Sequence, residues 1–91
     1  MKNLSAVPVP ADGLTVKQIG TETIILTGSG EQLHTLDEAG TYVWFEIDGK
    51  NTVRQILDKL CHEYDVTRDR AEADLLSFLE GLEEKEIIRL T

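Results

Sequence analysis

Cys61 with His62, and two acidic clusters, have the residue types needed for chemistry in this 91-residue chain, and each reads better as structure. Cys61 and His62 would form a thiol-imidazole couple if their side chains met. Neighbours on a helix point about 100° apart, so these two do not face each other. Cys61 also falls on an apolar stripe, where cysteine behaves as a small hydrophobe. His34 is the only other histidine, and no CxxC or HxxxH spacing links the three residues, so no metal site is expected. Carboxylates are abundant, as in Glu83-Glu84-Lys85-Glu86 and from Asp69 to Asp74. Paired acids can act as general acid and base, but on a surface helix they form a solvated face. Asp69 and Glu72 also suit the positive end of a helix starting near Arg68. Gly28-Ser29-Gly30 lies between two strand-like runs rather than between a strand and a helix, so it lacks the context of a phosphate loop. The expectation is a binding domain with no catalytic residues and no cofactor.

The elements that position these residues fall into two halves. Met1 to Asp12 hold both prolines, Pro8 and Pro10, and show no periodicity, so 1–12 reads as an extended arm outside the core. The domain proper is then 13–91. Leu14 to Ile19 and Thr23 to Thr27 read as strands joined by a tight turn at Gly20-Thr21. A third run, Glu31 to Leu36, follows Gly28-Ser29-Gly30, with Leu33 out of phase with Leu36 and its register open. The result is a three-stranded antiparallel meander whose first and third strands are edges. An open edge is either covered by the arm or the C-terminal tail, or is a docking strip for an added strand.

From Asp37 the period becomes helical. Gly40, Val43, Trp44 and Ile47 share one face. Asp37 caps this helix, or Thr35 does with Glu38 at the capping-box spacing. Asp48-Gly49 makes a turn. Thr52 caps a second helix with Gln55 as its box partner. Val53, Ile56, Leu57, Leu60, Cys61 and Tyr64 form its stripe. Thr67 caps a third helix, with Ala71, Leu75, Phe78 and Leu82 on its core face and Leu76 and Leu79 on a shoulder. Glu86 to Leu90 is a last strand or an extended tail. The fold class is α+β: a winged-helix-like arrangement in which a three-stranded antiparallel sheet precedes three helices.

Charge narrows the partners. The net charge is -8, and the third helix and its end carry Arg68, Arg70 and Lys85 against seven acids. A winged helix reading DNA needs a cationic face there, so nucleic acid is disfavoured. No apolar run reaches the roughly 20 residues that cross a bilayer, and Met1 to Ala11 lack a signal-peptide pattern, so a cytoplasmic location is expected.

Leu36-Asp37-Glu38-Ala39-Gly40-Thr41-Tyr42-Val43-Trp44, then Ile47-Asp48-Gly49-Lys50-Asn51-Thr52-Val53, then Ile56, Leu60 and Tyr64-Asp65-Val66 together resemble the PqqD-like family. So does Asp74-Leu75-Leu76-Ser77-Phe78-Leu79-Glu80-Gly81-Leu82 with its apolar ending. The likeness spans about Gly13 to Leu90. The chain departs from the family's pattern at Asp37, where Asn is common, and at Glu83 to Glu86, where a Gly often precedes the last strand. The resemblance implies a recognition element that binds the leader of a ribosomally made precursor peptide and presents it to a modifying enzyme, a radical SAM protein or another tailoring enzyme. The leader would pair with the third strand and pack on the third helix. Carried onto this chain, that assigns Gln32, Leu33, His34 and Thr35 as the docking strip and Asp74, Leu75 and Phe78 as groove residues. A proline at Leu33 or His34 is expected to abolish binding. The alternatives are a structural subunit or homodimer whose edge strand is permanently paired, or, less in keeping with the charge, a DNA-binding winged helix.

Overall fold

The protein is described by a computed structural model covering residues 4–27 and 32–91. The turn at Gly28-Ser29-Gly30 and the start of the third run at Glu31 lie outside the described residues. The chain runs β1 (Pro8–Pro10), β2 (Thr15–Ile19), β3 (Glu22–Leu26), β4 (Leu33–Leu36), α1 (Glu38–Glu46), α2 (Val53–Glu63), α3 (Arg68–Glu84) and β5 (Ile88–Leu90). Strands β2, β3 and β4 form a three-stranded antiparallel sheet in that order, followed by three helices, so the α+β class holds. The two-residue turn Gly20-Thr21 joins β2 to β3. Gly20 has φ +61, the left-handed region that such hairpin turns require.

Each helix starts where a side chain satisfies its free N–H groups. Asp37 Oδ1 accepts from Gly40 N–H at 2.8 Å and caps α1, while Thr35 belongs to β4. Thr52 and Gln55 form the reciprocal capping box of α2, and Thr67 caps α3. In the turn between α1 and α2, Asp48 Oδ1 accepts from Lys50 and Asn51 N–H at 2.8 and 2.9 Å. Those two bonds hold the Asp48 carboxyl below its usual range.

Two features differ from the sequence reading. The described part of the arm is extended, but it is not outside the core. Ala6 is buried among the core residues, and β1 pairs with β5 in a second, two-stranded sheet, Pro8 opposite Leu90. Val53 and Arg54, the first residues of α2, donate their N–H groups to the carbonyls of Ala6 and Leu4, both at 2.9 Å. The arm thus completes the cap of α2, a role that needs backbone carbonyls and leaves no side-chain signature. The tail likewise pairs with the arm, not with the three-stranded sheet.

The second difference is on α3. Its buried stripe is Ala71, Leu75, Leu79 and Leu82, a run of i, i+4, i+8, i+11. Leu79 therefore faces the core formed with α2 and β5, and Phe78 sits half-buried at the stripe's margin. A shift of one residue rotates the contact by about 100°, and which residue takes it depends on where the neighbouring elements lie.

The end of α3 shows how the chain meets β5 without glycine. Ile87 N–H donates to Leu82 C=O at 2.9 Å, and Glu86 N–H to Glu83 C=O at 3.0 Å. This is the Schellman pattern, which places one residue in the left-handed region. Glu86 occupies it at φ 61.

Candidate functional site

β4 pairs with β3 through Leu33–Leu26, His34–Ile25, Thr35–Ile24 and Leu36–Thr23. Its other edge has no strand partner among the described residues. Thr27 N–H donates to Gln32 C=O at 3.2 Å, which fixes the hydrogen-bonding parity of the ladder. Antiparallel pairs alternate between bonded and non-bonded. His34 and Leu36 are therefore bonded to β3, and Leu33 and Thr35 turn their N–H and C=O groups to the open edge. The side chains alternate too. Leu36 is buried and His34 half-buried on the helix side, whereas Thr35 is exposed and Leu33 is 60% exposed. The Nε2 atom of His34 is buried with no hydrogen-bond partner among the described residues. Such a group is worth explaining, because leaving it unpaired costs about 1–3 kcal/mol.

Where β4 ends, a groove begins. Asp37 follows Leu36 and is the groove's first wall residue. Ala39, Gly40 and Val43 of α1, Leu60 of α2, and Asp74, Leu75 and Phe78 of α3 complete a space of about 270 Å³. That is below the range of pockets for drug-sized ligands and suits one or two side chains. Gly40 determines its shape: a Cβ there would lie 3.2 Å from Phe78 and 3.3 Å from Leu36 Cβ. Glycine lets the start of α1 approach the Phe78 ring. The walls are apolar, and carboxylates of Asp37 and Asp74 mark the rim. Asp74 is exposed and lies 3.7 Å from Arg70.

All three α3 residues named from the sequence thus lie in one groove. They differ in kind: Leu75 is 2% exposed and is core with an edge on the groove, Phe78 is half-buried, and Asp74 is solvated. Gln32 to Thr35 lie on β4 or just before it. The groove residues that the sequence did not single out are Ala39, Gly40, Val43 and Leu60, together with Asp37. Their types signalled only a cap and a core stripe; the i, i+3 pair Gly40 and Val43 was visible, but not that part of its face stays open. Among the described residues no group of three or more His, Cys, Asp or Glu is placed to hold a metal ion. Cys61 is half-buried against the core, beside an exposed His62. No helix is long and apolar enough to cross a membrane, among the described residues.

The family described as Coenzyme PQQ synthesis protein D (PqqD) matches residues 22–88. No curated protein matches the chain. Among solved structures, the chain is similar to TbiB1 in complex with the TbiA(beta) leader peptide. The identity is 28% and the TM-score 0.83, over 89% of this chain and 94% of that one.

Proposed function

The chain belongs to the family of Coenzyme PQQ synthesis protein D, and from that membership we propose that it is a non-catalytic carrier of a precursor peptide's leader. The leader adds a strand to the open edge of β4, places side chains in the groove beside α3, and is presented to a modifying enzyme, a radical SAM protein or another tailoring enzyme. The observation that carries this reading is the continuity of an unpaired edge with an apolar groove: Leu33 and Thr35 offer free main-chain groups, and the groove starts at Asp37. The similar protein TbiB1 was solved with a leader peptide, which supports the same ligand class here.

Magnitudes say why both parts are needed. Two residues with one donor and one acceptor each give four main-chain bonds at a net of about 1 kcal/mol apiece. That alone corresponds to roughly millimolar affinity. Burying one Leu- or Phe-sized side chain in the groove adds about 1.5–3 kcal/mol. The groove therefore supplies both the specificity and much of the usable affinity. Asp74 and Asp37 at the rim favour a leader with Lys or Arg beside its apolar anchor, and His34 Nε2 offers an incoming chain one further polar contact.

Titration of labelled protein with the short precursor peptides encoded beside its gene tests the reading. The expected result is amide shifts concentrated at Gln32 to Thr35 and along Asp74 to Leu82. Shifts elsewhere, or a tight dimer in sedimentation that hides β4, would sink it.

A further inference from the structure

The Phe78 groove uses one side of α1. The other side carries a second pocket, of about 310 Å³, lined by α1, the end of α2, Gln18 of β2 and the β2–β3 turn. At about 100° per residue, Ala39, Gly40 and Val43 project nearly opposite to Glu38, Tyr42 and Phe45. The pocket is aromatic. Tyr42 and Tyr64 meet edge to face, with ring centroids 5.7 Å apart and planes at 88°. Phe45 is 54% exposed, an aromatic ring left out of the core.

Carboxylates surround these rings. Glu46 ends α1 and Glu63 ends α2. The C-terminal end of a helix is its negative end, so an acid there works against the helix's own stability. Lys59 pairs with Glu46 at 2.8 Å. Glu38 and Glu63 make no ion pair among the described residues. Burial and the charges of Glu46 and Glu63 push the Tyr42 phenol above its usual range; burial, Glu38 and Glu63 do the same for Tyr64.

We propose that this aromatic pocket docks the modifying enzyme, receiving a segment of it in which an arginine is flanked by apolar residues. The proposal rests on the carrier function given above. Charge complementarity selects a cation for a site with two unpaired carboxylates. Arginine is preferred over lysine because its planar guanidinium both stacks on rings and bonds carboxylates in pairs. Position selects the enzyme over the leader. A leader on β4 and in the Phe78 groove occupies the opposite side of α1, so both seats are filled at once and the carrier bridges substrate and enzyme.

The test uses the intact chain, its precursor peptide and the modifying enzyme encoded beside its gene, in pairwise calorimetry. The variants are Phe45→Ala and the double change Glu38→Gln with Glu63→Gln, whose side chains are exposed and whose melting curves verify folding. Each is expected to weaken enzyme binding about 10-fold or more while leader affinity stays within about twofold. Raising the salt from about 0.05 to about 0.3 M should weaken the wild-type enzyme complex, and that sensitivity should shrink in the Glu38→Gln, Glu63→Gln double variant. Unchanged enzyme affinity in both variants overturns the proposal, as does a loss of leader affinity instead. Wild-type binding of leader but not enzyme overturns it, and the presentation step with it, while leader capture stands. Binding of enzyme at this pocket without any leader binding has the reverse meaning. Should Phe45→Ala fail to fold, the charge variant alone decides.

Discussion

Among the described residues the three-stranded sheet has two open edges, and they are not alike. β2 is exposed along all five residues and carries Lys17 at its centre. β4 is one residue shorter, buries Leu36, and runs straight into the cap of α1 and the groove beside Phe78. By the parity of the ladder, β2 turns Val16 and Gln18 outward as β4 turns Leu33 and Thr35 outward. Both edges therefore offer the same main-chain chemistry. β4 runs into an apolar groove in which an added strand could seat a side chain, whereas the space at the end of β2 is ringed by the carboxylates of Glu38, Glu46 and Glu63. An edge becomes a specific docking strip through its surroundings, and a central Lys is one of the ways natural proteins blunt the edge they do not use.

The largest test removes the support that β3 and β4 share. Trp44 is 7% exposed on α1, which packs on both strands. Trp44→Ala should cost about 3–5 kcal/mol in chemical denaturation and weaken peptide capture with it. A smaller loss would mean that the sheet is held by the hairpin alone. Next comes a matched pair of prolines. Thr35→Pro removes an outward donor from β4 without touching its bonds to β3, and Val16→Pro does the same on β2. Leader affinity should fall about 10-fold for the first and stay within about twofold for the second. Equal effects would abolish the distinction between the edges. His34→Pro is a poorer probe than Leu33→Pro, because His34 N–H belongs to the ladder with Ile25.

Phe78→Ala sharpens the same contrast at the groove. The ring is half-buried, so stability should drop less than for a fully buried residue, while leader affinity measured by calorimetry falls about 10-fold. If affinity is unchanged, the groove does not hold the anchor. Smallest is Glu86→Gly, far from either edge. Relieving a left-handed non-glycine residue should raise stability by about 1 kcal/mol and leave binding untouched. A melting curve checks it; destabilisation would mean that the Glu86 side chain makes a contribution larger than its backbone strain.

Local signals made the helical half legible. Thr52 with Gln55, Thr67 and Asp37 each cap within three residues, and capping needs no distant partner. The hairpin at Gly20-Thr21 was legible for the same reason. The pairing of β1 with β5 was not, because it joins two three-residue strands some eighty positions apart, one of them holding two prolines. Phe78 and Leu79 were interchanged in rank because both are apolar neighbours at the edge of one arc, and only the positions of α2 and β5 choose between them. Of the site, the α3 residues were nameable through the family resemblance, whereas Gly40 looked like part of a core stripe. Its importance lies in a close approach to a ring thirty-eight positions away.

Sequence alone determined the class of the fold, the order of its elements, the helix starts and an acidic character that disfavours nucleic acid. These depend on interactions within a few residues or on totals that no folding can change. Tertiary structure decided that the arm and tail pair with each other, that β4 keeps a free edge with Leu33 and Thr35 outward, and that α1 separates two pockets of opposite position. Those facts depend on which surfaces meet across long stretches of chain, where many pairings satisfy the same local pattern and only simultaneous packing of the whole core selects one.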